Sequence, residues 1–128
     1  MDLLLDTHAF IWFMEGDKSL PPKSIKAIKN IGNKCYLSIA SLWEIAIKIS
    51  LKKIEIQADF NNIVDFLSNN EIEILSISFD HLQELLTLPF YHRDPFDRII
   101  IAQGLSENLT IITTDKNFSH YTKSILWR

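Results

Sequence analysis

The stretch DPFDRIIIAQGLSENLTIITTD, residues 94–115, contains a complete helix-to-strand unit. Asp94 followed by Pro95 is the usual start of a helix, because aspartate caps the first turn and proline fits the first helical position. The interior of the segment after them is strongly apolar, as expected for a helix buried in a core. LTIITT then has the length and the β-branched composition of a buried strand. The stretch therefore predicts a helix that leads directly into a strand.

Strands and helices alternate in the same way along the rest of the chain. The other predicted strands are DLLLD at 2–6, CYLSI at 35–39, IEILSI at 72–77 and SILWR at 124–128. The other predicted helices are HAFIWFM at 8–14, PPKSIKAIKNIG at 21–32, SLWEIAIKISLKK at 41–53, DFNNIVDFLSNN at 59–70 and SFDHLQELLTL at 78–88. Such alternation predicts parallel pairing with helices on both faces of the sheet. We therefore predict a three-layer α/β/α sandwich with a mostly parallel central sheet of four to five strands, formed by residues 1–128 as one domain.

Composition excludes several classes of protein. The 128 residues are 47% hydrophobic and 23% charged, as in a globular domain. A net charge of −3 argues against a protein that binds nucleic acid through a broad basic surface, although acids that hold metal ions would be compatible with it. The single cysteine, Cys35, excludes an internal disulfide and a cysteine-rich zinc site. No apolar run approaches the roughly 18 residues that span a bilayer, so we expect a cytoplasmic protein without a membrane segment.

Four acidic residues fall where a parallel sheet would gather them. Asp6 and Asp115 directly follow predicted strands, and Glu44 lies early in the helix after the second strand. Strand ends and the starts of the following helices share one edge of such a sheet, where ligands bind. Asp97, at the third position of its helix, joins the others only if the loop before that helix returns to the same edge.

Each acid also has a purely structural interpretation. Asp6 suits an N-cap, and Asp115 suits a turn. Glu44 lies three residues after Ser41, which fits a capping box, and it also fits an i,i+4 pair with Lys48. The apolar neighbours of Glu44 suggest a partly buried carboxylate, which would need partners.

The joint placement of these acids indicates metal chemistry. Carboxylates in one crevice repel each other, and their pKa values rise unless a cation is present. Clusters of oxygen ligands suit Mg²⁺ or Mn²⁺, which activate water and neutralise charge on a phosphate. The residues therefore predict metal-assisted hydrolysis of phosphodiesters, without a covalent intermediate.

Four motifs carry a resemblance to a known family. LLLDTHAFIW, SIASLWEIAIK, HRDPFDRIIIAQ and IITTDKNF, in this order, resemble the PIN-domain proteins, and among them the VapC-like ribonuclease toxins of type II toxin–antitoxin systems. The resemblance implies an endoribonuclease that depends on Mg²⁺ or Mn²⁺. It implies that Asp6, Glu44, Asp97 and Asp115 are both the catalytic residues and the metal ligands. It also implies a homodimer, and a cognate antitoxin whose tail crosses the active-site groove.

Further residues near the motifs are candidates for supporting roles. We interpret Asp94 as a helix cap beside the metal ligands, and the resemblance makes Thr113 and Thr114 candidates that line the site. Gly104 stands where many relatives have alanine, which predicts a slightly looser helix.

Basic residues flank the same motif. Arg93 and Arg98 are placed to contact RNA phosphates or the acids of an antitoxin, with surface ion pairing as the alternative. His92 either contacts substrate or, as is more usual for a lone loop histidine, is simply solvated.

Other functions remain as alternatives. A receiver-like signalling domain would have an acidic pair after the first strand and an aspartate after the third, whereas Thr7 follows Asp6 and IEILSIS ends without an acid. A phosphatase of the haloacid-dehalogenase type would have Asp-x-Asp where this chain has DTH. A non-catalytic PIN-like scaffold that only binds a partner would be favoured by an incomplete set of acids.

Overall fold

Five strands and six α-helices lie in residues 1–54 and 59–127, the parts of the chain that the computed structural model describes, and two helices separate each of the first four strands from the next. The strands are β1 (Asp2–Leu5), β2 (Lys34–Ser38), β3 (Ile72–Leu75), β4 (Thr110–Ile112) and β5 (Ile125–Leu126). The helices are α1 (Thr7–Glu15), α2 (Pro22–Lys29), α3 (Ile39–Ser50), α4 (Asn62–Asn69), α5 (Phe79–Thr87) and α6 (Pro95–Ser106). Arg128, the end of the predicted last strand, lies outside the described residues. Within those ranges, no helix combines the length and the apolar character needed to cross a membrane.

The sheet has the order β3-β2-β1-β4-β5, and all neighbouring strands are parallel. Leu5 pairs with Leu37 on one side and with Ile112 on the other, so β1, β2 and β4 approach one edge together. The chain runs outward from β1 to β3 and then returns to the other side of β1 with β4. Strand order therefore reverses between β1 and β4, which is where such sheets form a crevice at their carboxyl ends.

The core has two halves, one on each face of the sheet. Successive residues of a strand face opposite sides, so Leu3 and Leu5 belong to one half and Leu4 to the other. The first half also includes buried residues of α1, α2, α3 and α4, namely Phe10, Ile28, Ile45, Ile63 and Leu67. The second includes residues of α6 and the segment after β4, namely Ile99, Ile100, Ile101 and Phe118. The predicted three-layer α/β/α sandwich with a parallel sheet is confirmed.

Helix α3 begins earlier than the sequence indicated. Its N-cap is Ser38, whose side chain accepts the backbone N–H of Ala40 at 3.0 Å. The predicted capping box of Ser41 and Glu44 is therefore wrong, because both residues already lie inside the helix. The strand before it correspondingly ends at Ser38 and not at Ile39. This shift moves Glu44 beyond the first turn, so its carboxylate is available for contacts with other elements.

Gly104 allows α6 to approach β4 closely. A Cβ atom at this position would lie 2.7 Å from Cδ1 of Ile111, which is too close for an unperturbed contact. Both residues are buried. The glycine expected to loosen the helix thus has a packing role, because it lets α6 and the sheet meet without a side chain between them.

Candidate functional site

Asp6 lies at the end of β1 and is held from two directions. One carboxylate oxygen accepts the backbone N–H of Ala9 at 2.8 Å, which makes Asp6 the N-cap of α1 as predicted. The other accepts the hydroxyl of Thr113 at 2.5 Å, and Thr113 directly follows β4. Asp6 is 5% exposed. It therefore joins the ends of β1 and β4 at the point where strand order reverses.

Burial has the largest effect on the pKa of Asp6. Loss of solvation raises the pKa of its carboxyl from 3.8 to about 6, and the negative charge of Asp97 adds to the rise. Hydrogen bonds from Thr113 and from the backbone N–H of Ala9, together with the charge of His8, partly offset it. A nearby cation would lower this pKa again, because it favours the ionised carboxylate.

Asp97 reaches the same edge from α6. Asp94 caps that helix, since its Oδ1 accepts the backbone N–H groups of Phe96 at 2.9 Å and of Asp97 at 3.0 Å. Pro95 occupies the first helical position, as predicted. The loop before α6 does return to the edge, because carboxylate oxygens of Asp97 and Asp115 lie within 4.8 Å of each other and the charge of Asp97 contributes to the raised pKa of Asp6. The cap fixes the first turn from which the Asp97 side chain extends.

Asp115 is the N-cap of a 3₁₀ helix, Lys116–His120, that was not predicted from the sequence. Its Oδ1 accepts the backbone N–H of Asn117 at 2.9 Å, which is the turn role predicted for it. Its own backbone N–H donates to Oγ1 of Thr113 at 3.0 Å. Thr113 therefore links two acids, since its hydroxyl donates to Asp6 and accepts from Asp115. Thr114, the other candidate, is exposed.

A histidine completes the outer part of the site. Nε2 of His92 lies 2.7 Å from Oδ2 of Asp97. One ligand atom from each of His92, Asp97 and Asp115 lies within 4.8 Å of the others, a spacing at which the three could hold a metal ion. The expectation that His92 is simply solvated is wrong, because its ring is engaged with Asp97.

Asp97 also carries a shifted pKa. Burial raises the pKa of its carboxyl most, and the negative charges of Asp94 and Glu44 raise it further. The hydrogen bond and charge of His92 act in the opposite direction. Crowded carboxylates of this kind favour a divalent cation, which would neutralise their repulsion. The donor set, mainly carboxylate oxygens, fits Mg²⁺ or Mn²⁺.

Glu44 lies deeper in the same crevice, with 6% of its surface exposed. The hydroxyl of Thr7 donates to its Oε1 at 2.7 Å and lies 3.0 Å from Oγ of Ser41. Nζ of Lys48 is 3.0 Å from its Oε2, so the predicted i,i+4 pair is present. This contact of Thr7 was not predicted, although the position of Thr7 directly after Asp6 was a usable signal.

The two arginines differ from each other. Arg93 is exposed, whereas Arg98 is 7% exposed. The Arg98 guanidinium donates to the carbonyls of Pro89 at 2.9 Å and Leu88 at 3.3 Å, and it lies 4.1 Å from the ring centroid of Phe90. The prediction that Arg98 contacts RNA or an antitoxin is therefore wrong, and so is surface ion pairing. Its donors hold the loop before α6.

The family described as PIN domain matches residues 3–124. Similar solved chains occur in VapBC2 from Rickettsia felis bound to a DNA fragment from their promoter (19% identity, TM-score 0.72, 100% of both chains covered) and in a toxin–antitoxin complex from Klebsiella pneumoniae (17%, 0.66, 97% of this chain and 95% of that one). Another is VapBC-1 from nontypeable Haemophilus influenzae (14%, 0.68, 100% and 97%). At these identities the likeness concerns the fold. The search of curated proteins found no match.

Proposed function

Since this chain belongs to the PIN domain family, we propose that it is an endoribonuclease that hydrolyses RNA phosphodiesters with Mg²⁺ or Mn²⁺. The observation that carries the proposal is that Asp97 and Asp115 lie close enough to share one ion and that Thr113 links Asp115 to Asp6, although these acids come from distant parts of the sequence. The raised pKa values of Asp6 and Asp97 support it, because a bound cation would relieve the repulsion that contributes to them.

The four acids would have different roles in binding the cation. Asp97 and Asp115 would offer carboxylate oxygens to the cation, and Asp6 would assist them, directly or through water. Glu44 assists from deeper in the crevice, where Thr7 and Lys48 engage its two oxygens. When bound, the cation makes water more acidic and neutralises charge on the phosphate.

The surrounding side chains orient these ligands. Asn117 N–H fixes one oxygen of Asp115, and His92 fixes one oxygen of Asp97. Thr113 holds Asp6 against the end of β4. Such outer contacts reduce the reorganisation that binding would otherwise require. The carboxylates of the crevice then hold the attacking water near the phosphate, and no covalent bond to the protein is needed.

The mouth of the site suits anionic partners. Arg93 is exposed and directly precedes the cap of α6, so it can meet an RNA phosphate or an acidic side chain. The similar solved chains occur in toxin–antitoxin complexes. We therefore propose that this chain is the toxin of such a pair, and that a cognate antitoxin inhibits it with a tail that passes Arg93.

An apolar face formed by α3, α5 and the start of α6 suits a second copy of the chain. It surrounds a cavity of about 200 Å³ whose lining is entirely hydrophobic, formed by Ala40, Trp43, Ile77, Leu82, Leu85, Pro95, Phe96 and Ile99. Trp43 is 60% exposed, and Leu86 on α5 is 85% exposed. Large exposed apolar residues mark interfaces, and homodimer interfaces are the more apolar kind. We propose that this face forms a homodimer.

RNA cleavage by the purified chain tests the proposal. Total RNA is incubated with Mg²⁺ or Mn²⁺, with EDTA, and with the variants Asp97→Asn and Asp65→Asn. Asp65 is an exposed aspartate in the first turn of α4 and serves as the matched control. We expect discrete cuts that EDTA and Asp97→Asn abolish and Asp65→Asn leaves unchanged. Cleavage that survives Asp97→Asn, or a chain that neither cleaves nor binds either cation, would overturn the proposal.

A further inference from the structure

The loop before α6 is clamped by two side chains. The hydroxyl of Tyr121 donates to the carbonyl of Pro89 at 2.8 Å and accepts the backbone N–H of His92 at 2.8 Å. Nη1 of Arg98 donates to the carbonyls of Pro89 at 2.9 Å and of His92 at 3.3 Å, and lies 3.3 Å from the Tyr121 hydroxyl. Both backbone polar groups of His92 are therefore fixed.

The burial of Arg98 gives the clamp its rigidity. A buried guanidinium destabilises the fold unless its N–H donors are hydrogen-bonded. Moving the loop carbonyls away from Arg98 would leave those donors unpaired and would therefore cost free energy. Tyr121 adds a second anchor from beyond the 3₁₀ helix, and its ring packs against Tyr91 with centroids 5.3 Å apart. The loop is consequently held at two points on either side of Phe90 and Tyr91.

The clamp directs the imidazole of His92 toward Asp97. Its Nε2 is 2.7 Å from Oδ2 of Asp97, and both side chains are about one-fifth exposed, at 20% and 22%. Asp97 is already fixed at its backbone by the Asp94 cap. The histidine adds the second constraint, on the orientation of the carboxylate itself.

We propose that His92 is a positioning residue of the cation site: it holds the Asp97 carboxylate beside Asp115 by donating its Nε2–H to Oδ2, and the Arg98–Tyr121 clamp keeps it there. This inference rests on the proposed function, because it concerns the same cation. An outer-sphere partner of this kind commonly changes metal affinity by about 10- to 100-fold.

Mn²⁺ titration of the full chain by calorimetry, without RNA, measures the effect apart from activity. We expect His92→Ala to weaken Mn²⁺ binding about 10-fold or more. His92→Gln, which keeps an N–H donor at a similar reach, should recover most of that loss. His120→Ala is the matched control, because His120 is an exposed histidine nearby that stacks on Tyr91. It should leave the affinity unchanged.

Tyr121→Phe separates the clamp from the histidine. It removes the hydroxyl that holds His92 and keeps the ring, so Mn²⁺ affinity should fall by less than in His92→Ala. Because the tyrosine acts through the histidine, the double variant should bind Mn²⁺ no more weakly than His92→Ala alone. Additive losses of Mn²⁺ affinity in the double variant would contradict the proposal that Tyr121 acts through His92.

The remaining outcomes are distinguishable. If Asp97→Asn leaves Mn²⁺ affinity unchanged, the proposed function itself fails. If Asp97→Asn abolishes binding and His92→Ala does not weaken it, only this inference fails. If His92→Gln loses Mn²⁺ affinity as fully as His92→Ala and loses much less Mg²⁺ affinity, His92 is a direct ligand, because imidazole favours Mn²⁺ over Mg²⁺. If His92→Ala lowered the melting temperature and left Mn²⁺ affinity unchanged, His92 would have a purely structural role and the inference would be wrong.

Discussion

The inner and outer halves of the candidate site are built differently. In the inner half, Asp6 and Glu44 are 5% and 6% exposed, and protein groups engage both oxygens of each carboxylate. In the outer half, Asp97 and Asp115 are only partly buried, and they lie with His92 at a spacing suited to a cation. The inner acids are part of the framework, whereas the outer acids are partly open to solvent.

This difference predicts different costs of mutation. A buried acceptor that loses its donor keeps its desolvation penalty, so changes in the inner half should affect folding stability. A partly exposed acid among like charges gains little from folding. Changes in the outer half should therefore affect cation binding and cleavage while leaving stability nearly unchanged.

The largest effect is expected from Asp115→Asn in the outer half. We expect cleavage to fall about 100-fold or more, because a cation ligand is lost. The melting temperature of the cation-free chain should not fall, because a negative charge is removed from beside Asp97. Cleavage rate and thermal unfolding, measured on the same preparation, check both statements. A fall of several degrees in melting temperature would place Asp115 in the framework instead.

Next in size is the pH dependence of stability that Asp6 imposes. Its pKa is about 6 in the folded chain against 3.8 when unperturbed, so the folded state binds the proton more tightly. Stability should therefore fall as pH rises from about 4 to 7, by roughly 2 to 3 kcal/mol from this group. Asp97, whose pKa is also raised, acts in the same direction.

Urea unfolding at pH 4.5 and 7 measures this contribution. The wild-type difference minus the Asp6→Asn difference gives the contribution of Asp6 together with its coupling to Asp97, because the remaining groups titrate alike in both chains. Mn²⁺ at pH 7 should restore part of the stability lost by the wild type. A wild type that loses no more stability than Asp6→Asn between the two pH values would contradict the buried-acid description of the inner half.

Thr113→Val should cost about 1 to 3 kcal/mol. The substitution preserves shape but removes the hydroxyl that donates to Asp6 and accepts from Asp115. The Asp6 pKa should rise further, because that hydrogen bond lowers it. Thr114→Val is the matched control: an adjacent threonine with an exposed side chain, for which we expect little change. If the two variants changed the free energy of unfolding equally, the hydrogen bonds of Thr113 would not be the cause of the loss.

Lys48→Ala should have the smallest effect, below about 1 kcal/mol. The ion pair with Glu44 is short, at 3.0 Å, but the lysine side chain is 35% exposed, so solvent screens the pair. Because the ammonium lies at the solvent side, water can replace it at Oε2 of Glu44, and this buried acceptor does not lose its hydrogen bond. Thr7 continues to donate to Glu44 in the variant. Lys29→Ala, at an exposed lysine in the last turn of α2, is the control for unfolding measurements. A cost of several kcal/mol would mean that the inner half depends on this charge.

The sequence was sufficient for the features that depend on local chemistry. Asp94 with Pro95 predicted the start of α6, and the strand-to-acid transition predicted that Asp6 would directly follow β1. Asp115 was predicted to follow its strand directly as well, but β4 ends at Ile112, and Thr113 and Thr114 lie between them. Apolar runs with helices between them predicted the parallel sheet. These patterns suffice because caps, turns and periodicity are properties of neighbouring residues.

The features missed depend on contacts between distant segments. Arg98 lies beside Asp97 in sequence and looked like a surface residue, but α6 is buried on several sides and turns Arg98 toward the loop carbonyls. Thr7 reaches Glu44 across two helices, and Tyr121 reaches His92 from the other end of the site. Residue spacing predicts which side chains share a helix face, but it does not reveal which segment covers that face.

The close approach of α6 to β4 at Gly104 links two sequence positions through shared volume. An alanine there would need space now filled by Cδ1 of Ile111, which a valine at 111 would vacate. Positions 104 and 111 should therefore covary among related sequences, with alanine at 104 accompanied by a smaller residue at 111. In a relative with alanine at the equivalent of Gly104, a smaller residue at the equivalent of Ile111 would indicate that helix and sheet keep their close approach. A retained isoleucine there would indicate that they lie farther apart.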